Sequence, residues 1–213
     1  MKSRAYLFDM DGVLVDNCHY HVLSWLELAK RHGGHVTEAE IIAWMGAPAQ
    51  TYIERMFDML PSPECCAEMV SEKEALYREL YRPHLEPCAG LVDFLHAARA
   101  DGISCAVVTG GSKENVSFVL DGLGIRDCFS CVVDASQYER GKPAPDCYLQ
   151  AADRLGVVPG DCVVFEDAVN GIRAAQAAGM RVVAFTTTNV RRTLEDAHPD
   201  RIVADFRALT NPV

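Results

Sequence analysis

The sequence predicts an α/β protein: a parallel sheet covered on both faces by helices, with an all-helical block inserted after the first strand. Three observations carry this. From about residue 91 onward, short apolar runs alternate with helix-patterned stretches, and such alternation builds a parallel sheet through crossover helices. One further apolar run, Ala5–Phe8, stands alone near the start. Between them, roughly 65 residues read as helix and offer no strand to the sheet.

The first run stops abruptly at Asp9 and Asp11, followed by Gly12. Residues two apart on a strand project to the same side, so the two carboxylates are expected to face one site. Two like charges at the end of a core strand add no stability. They push one pKa up and leave the other ionised, which suits one nucleophile and one acid. The plainer alternative is a turn, which Asp and Gly both favour.

Within the helical block, Val22, Leu23, Trp25, Leu26, Leu28 and Ala29 form a stripe with helical spacing, closed by Gly33-Gly34, and Trp25 is expected in the block's own core. Thr37-Glu38-Ala39-Glu40 carries the capping-box pattern of a helix running to about Gly46. Helices over about 50–60 and 63–80 follow, separated by Pro61-Ser62-Pro63, and residues 82–90 read as a linker. The organisation expected is therefore an α/β core of residues 1–16 and 83–213, with 17–82 as a helical cap. Beyond the linker, helices are expected at 91–100, 112–120, 145–155 and 168–178, and strands at 103–108, 129–133, 162–165 and 181–185. Residues 193–206 read as a short helix and a last strand.

Composition narrows the function. The 213 residues are 49% hydrophobic, enough for a substantial core. A formal charge of −10 argues against nucleic acid, whose binding rests on Lys and Arg, and against anionic membranes. Nine cysteines, an odd number with no C-x-x-C pair, include Cys105, Cys131 and Cys162 in strand-like runs, where a thiol behaves as a small hydrophobe. That pattern predicts reduced thiols and a cytoplasmic setting. Cys65 and Cys66 are adjacent and cannot share one face of a helix as a metal pair. Met1-Lys2-Ser3-Arg4 leads straight into the first strand with no signal-peptide pattern, and no apolar run approaches the roughly 20 residues of a membrane span. The partner expected is a small molecule, and nothing in the sequence demands more than a monomer.

Ligands of parallel sheets bind outside the carboxyl ends of the strands, and the residues there carry chemistry. Thr109-Gly110-Gly111-Ser112 opens a helix with a hydroxyl and free N–H groups, an anion site or a plain cap by Ser112. It is not a nucleotide-binding P-loop, since Gly-Lys-Ser/Thr is missing. In Gly141-Lys142-Pro143 the proline holds Lys142 out of helical geometry, able to point its ammonium at a phosphate or simply at solvent. Glu166-Asp167 could supply oxygen ligands to Mg²⁺, or complement a helix dipole.

Together these stretches resemble the haloacid dehalogenase superfamily of phosphotransferases. The matches are Asp9-Met10-Asp11-Gly12-Val13, Thr109-Gly110-Gly111, Gly141-Lys142-Pro143 and Phe165-Glu166-Asp167, continued by Asn170-Gly171-Ile172 and Ala177-Ala178-Gly179-Met180. The resemblance covers the whole chain and is nearest the branch of β-phosphoglucomutase and small sugar-phosphate phosphatases. It implies a Rossmann-like three-layer core. It also implies Asp9 as the nucleophile that becomes an aspartyl-phosphate and Asp11 as general acid/base. Thr109, the Gly110 amide and Lys142 would bind the phosphoryl group. Mg²⁺ would be held by Asp9, the Asp11 backbone carbonyl, Glu166 and Asp167. The activity implied is hydrolysis of a small phosphate ester.

The mutase pattern leads one to expect a lysine before the cap glycine Gly46 and an arginine three residues after it, where this chain has Met45 and Ala49. Two fewer cations near a distal phosphate favour a phosphatase over a mutase. His21 matches a mutase-branch histidine near the acid, or is a helix-face residue. His19, two positions away, cannot join it on that face. A signalling receiver domain also places acids, Thr and Lys at strand ends, but is smaller and lacks such an insertion.

Overall fold

The computed structural model describes residues 4–57 and 61–209. The expected start at Met1–Ser3 and residues 58–60 of the expected 50–60 helix lie outside the described residues. The chain divides into two compact units, Met1–Asp16 with Leu85–Val213, and Asn17–His84.

The first unit is a six-stranded parallel sheet. Its strands are β1 (Ala5–Phe8), β2 (Ser104–Val108), β3 (Cys131–Val133), β4 (Cys162–Glu166), β5 (Arg181–Phe185) and β6 (Arg201–Val203), in the order β3-β2-β1-β4-β5-β6. β1 is central, with Phe8 opposite Val107 on one side and Phe165 on the other. The order reverses between β1 and β4, and in open α/β sheets that switch point is where ligands bind. A receiver domain would instead show the order 2-1-3-4-5, so that alternative falls.

Both faces of the sheet are apolar. Ala5 and Leu7 of β1, Ala106 and Val108 of β2, and Cys162 and Val164 of β4 pack with Cys147, Tyr148, Ala151, Ile172 and Ala175. These last belong to the helices numbered seventh and eighth along the chain, α7 (Asp146–Leu155) and α8 (Val169–Ala177). On the opposite face Tyr6, Phe8, Phe94, Phe165, Phe185 and Phe206 form an aromatic layer, with Phe8 and Phe165 stacked at 4.6 Å. Phe94 comes from the fifth helix, α5 (Leu91–Ala100). A strand buried on both faces reads as a continuous apolar run, as these do. The sixth helix, α6 (Lys113–Gly122), follows β2, and α9 (Arg191–Glu195) precedes β6.

Some bounds differ from expectation. The 129–133 strand begins at Cys131, because Arg126–Cys128 is a 3₁₀ turn. The last strand ends at Val203, and Asp205 caps a 3₁₀ turn at Phe206–Ala208. The linker holds a further 3₁₀ turn, Arg82–His84.

The second unit comprises α1 (Cys18–His32), α2 (Glu38–Ala43), α3 (Ala49–Met56) and α4 (Pro63–Tyr81). Gly33, at φ 70°, closes α1. Thr37 and Glu40 form both bonds of the capping box on α2, which ends at Ala43, short of the Gly46 turn. The core of this unit is Val22, Trp25, Leu28, Ile41, Tyr52, Ile53, Met69 and Leu76, so Trp25 is a core residue, stacked on Tyr52 at 4.6 Å.

All nine cysteines are free thiols. Among the described residues no helix is long and apolar enough to cross a membrane.

Candidate active site

At the end of β1 the Asp9 N–H makes one more ladder bond, to the Phe165 carbonyl (3.0 Å), and the chain then leaves the sheet. Gly12 donates to the Val15 carbonyl and Leu14 to that of Met10, so Met10–Val15 is a compact turn. The strand alternation expected to align Asp9 with Asp11 therefore stops at Asp9, and the turn sets their relation instead. Asp11 still raises the Asp9 pKa electrostatically. Its Oδ2 lies 3.8 Å from the point a Cβ on Gly111 would occupy, and Thr109 Oγ1 lies 3.3 Å from the same point. Asp11 and the Thr109 turn thus border one spot.

Lys142 joins the strand ends. Its Nζ donates to Asp9 Oδ1 at 2.8 Å, Glu166 Oε1 at 2.7 Å and the Val108 carbonyl at 3.3 Å. The peptide bond from Lys142 to Pro143 is cis. Tyr148 lies beneath, its ring 5.0 Å from the ammonium and its hydroxyl donating to the same Glu166 oxygen at 2.7 Å. Burial works against the Lys142 charge, but Asp9 and Glu166 outweigh it and hold its pKa well above the ordinary lysine value. The other Glu166 oxygen accepts the amides of Asp167 (3.0 Å) and Ala168 (3.1 Å). A Cβ on Gly171 would collide with the Glu166 carboxylate, so the glycine makes room for it at the start of α8.

Oxygens of Asp9, Glu166 and Asp167 lie within 4.8 Å of one another. Three carboxylates here face one lysine. Burial pushes Asp9 up to about 7, with Lys142 pulling it down and Glu166 and Asp11 pushing it further up. Burial, then Glu166 and Asp9, hold Asp167 well above the usual carboxylate range. A hard divalent cation taking oxygen ligands fits this donor set. Gly12, at φ 75°, lets the Asp9 turn close on Asp167, whose carboxylate a Cβ there would strike.

The sign of these shifts gives a stability prediction. A carboxyl whose folded pKa is raised holds its proton better folded than unfolded, so its favourable contribution is lost as pH rises toward about 7. The acids with lowered pKa values, such as Glu40, Glu72 and Asp146, are already ionised at pH 5.5 and do not oppose this. In EDTA the melting temperature should fall from pH 5.5 to pH 8. Mg²⁺ should raise it more at pH 8, where the Asp9 carboxyl has less of a proton to give up to a cation. Thermal melts at the two pH values, with and without Mg²⁺, check this; an equal Mg²⁺ effect at both would contradict it.

Thr109 is buried at the end of β2, its Oγ1 accepting the Gly111 N–H at 2.9 Å, while Gly110 is exposed. Ser112 does cap α6, accepting from the Asn115 N–H at 3.3 Å. His21 belongs to the helical unit. There its Nδ1 lies 2.8 Å from Lys73 Nζ and its ring stacks on Tyr77 at 3.9 Å.

The family model described as haloacid dehalogenase-like hydrolase matches residues 3–179. The chain belongs to that family. It is 35% identical over 185 residues to the fructose-1-phosphate phosphatase YqaB of Escherichia coli (strain K12), covering 85% of this chain and 96% of the relative. A family IA, variant 3 HAD hydrolase from Entamoeba histolytica HM-1:IMSS superposes with a TM-score of 0.91 at 28% identity, over 98% of this chain and 96% of that one. A β-phosphoglucomutase from Clostridium difficile gives 0.85 at 26%, over 98% and 94%.

Several contributors to this haloacid dehalogenase-type site escaped the sequence reading. Tyr148 looks like an ordinary apolar helix position and is found through its bond to Glu166. Tyr138, whose phenol burial pushes up to about 12, donates to the Thr109 carbonyl at 3.1 Å. Thr187, Thr188 and Asn189 follow β5, and the strand-end logic applied to the other strands would have flagged them.

Proposed function

We propose that this chain is a Mg²⁺-dependent phosphatase that hydrolyses a small phosphate monoester, a sugar phosphate, through an aspartyl-phosphate on Asp9. The observation that carries the reading is Lys142 bridging Asp9 and Glu166 where three buried carboxylates converge. Such a site repels anions until a cation neutralises it, and then presents a nucleophile beside fixed positive charge. Asp9, Asp167 and the Asp11 carbonyl, with Glu166 adjacent, would hold the cation, which supplies charge to offset that of the phosphoryl oxygens.

Asp9 attacks phosphorus and forms the acyl phosphate. The substrate alkoxide leaves with a proton from Asp11, which then accepts a proton from the water that hydrolyses the intermediate. Lys142 pulls the Asp9 pKa down against burial, favouring the ionised nucleophile, and with Thr109 and the Gly110 N–H contacts the transferring group.

Substrate choice is assigned to the helical unit, residues 17–82 in the sequence reading, with His21 a candidate contact. Met45 there accepts the Cys18 thiol at 3.5 Å, and Ala49 packs on the apolar core. Neither offers the cation that a bisphosphate intermediate would use. The second reading, a sugar phosphomutase, is supported by the likeness to the C. difficile enzyme. One assay separates them: Mg²⁺ with a panel of sugar phosphates, following inorganic phosphate, beside β-glucose 1-phosphate plus a trace of the bisphosphate, following glucose 6-phosphate. Phosphate release without isomerisation is expected. Isomerisation with little release would replace phosphatase by mutase, and neither activity would overturn both.

A further inference from the structure

β5 ends at Phe185, and Thr186-Thr187-Thr188-Asn189 follows. The sheet needs nothing from the last three side chains, since the Thr186 N–H already pairs with the Val203 carbonyl. All three nonetheless reach the carboxylate site. Thr187 Oγ1 donates to the Gly12 carbonyl at 2.5 Å. Asn189 Nδ2 donates to the Asp167 carbonyl at 3.0 Å. The Thr188 hydroxyl bonds to the Asp167 carboxylate, and the point a Cβ on Gly12 would occupy lies against both groups, 2.8 Å from Thr188 Oγ1. One short segment therefore ties the turn after β1 to the turn after β4, through main chain on both sides and through the carboxylate itself.

The other acids are held differently. Asp9 is fixed by Lys142, and Glu166 by Lys142, Tyr148 and two amides. We propose that Thr187, Thr188 and Asn189 form a positioning strap for Asp167 and the Gly12 turn, and thereby set the site's affinity for a divalent cation. The strap rests on the reading that Asp9 and Asp167 hold Mg²⁺. Hydrogen-bond partners behind metal ligands orient them and raise affinity, and losing one typically costs about 10–100-fold. A valine at 188 keeps the shape of threonine but leaves Asp167 free to turn among rotamers, so part of the binding energy goes into ordering it.

The test is calorimetric titration of the full chain with Mg²⁺, for wild type, Thr188→Val, Thr188→Ser and Asn189→Ala, each first melted in EDTA to establish that it folds. Thr188→Val and Asn189→Ala should each raise the Mg²⁺ Kd about tenfold or more, with Thr188→Ser close to wild type. At saturating Mg²⁺ most of kcat should return, so the loss lies in the Mg²⁺ dependence. Wild-type Kd in both Thr188→Val and Asn189→Ala overturns the strap and leaves the metal site standing. Absence of Mg²⁺ binding by the wild-type chain overturns the metal reading beneath it. Should Thr188→Val not fold, Asn189→Ala decides alone, because it deletes one side-chain bond from a half-buried position.

Discussion

Asp9→Asn should abolish phosphate release, by about 10⁶-fold as loss of a covalent nucleophile can, while the protein stays folded. An amide of the same shape cannot attack phosphorus. Lys142 keeps its bond to Glu166, so the clamp between strand ends remains. Asp9 is 9% exposed, and desolvation is the largest cause of its raised pKa. Removing its charge therefore relieves a cost in the metal-free protein. In EDTA at pH 8 the variant should melt no lower than wild type, which distinguishes lost chemistry from lost structure. Phosphate release and a thermal melt on one preparation check both halves. Wild-type turnover by this variant would sink the mechanism.

Asp11→Asn should slow hydrolysis of a sugar phosphate by about 10²–10⁴-fold, the usual worth of a general acid or base. The effect should depend on the leaving group. A sugar alkoxide needs its proton, whereas 4-nitrophenolate departs unaided, so phosphorylation of Asp9 by 4-nitrophenyl phosphate should be little affected. The second step still lacks its base, and a burst of nitrophenol followed by slow turnover is expected in rapid-quench experiments. If the first step slows equally with both substrates, Asp11 is not the acid.

Much of this site was legible because its chemistry is written locally. An apolar run that stops at Asp9, at Thr109 or at Glu166-Asp167 marks a strand end whatever its neighbours are, and the Lys142-Pro143 pair marks a held lysine. The fold class was legible for the same reason, since alternation of apolar runs and amphipathic stretches is a property of the chain alone. The capping box at Thr37 and the glycine stop at Gly33 are equally local, and both stand in the structure.

What the tertiary structure decided is adjacency. The sequence holds both turns but not the order β2-β1-β4-β5, which sets Asp9 beside Glu166 and brings the β5 loop to Asp167. Glu166 read as a metal ligand like Asp167. Its carboxylate does lie in the cluster with Asp9 and Asp167, beside the amides of its chain neighbours Asp167 and Ala168. Lys142 and Tyr148, which also hold it, come from elsewhere in the chain and are brought there by the packed layers. Lys142 and Asp9 are 133 residues apart, and Thr187 and Gly12 are 175 apart. Hydrogen bonds over such separations leave no local pattern. Which face of a strand such as Tyr6-Leu7-Phe8 meets which helix is equally silent, because both faces are apolar and hydrophobic alternation has nothing to alternate with. The chain by itself determined which groups are present and on what kind of element. Packing of the sheet determined which of them meet, because contact between distant residues is a property of the assembled layers.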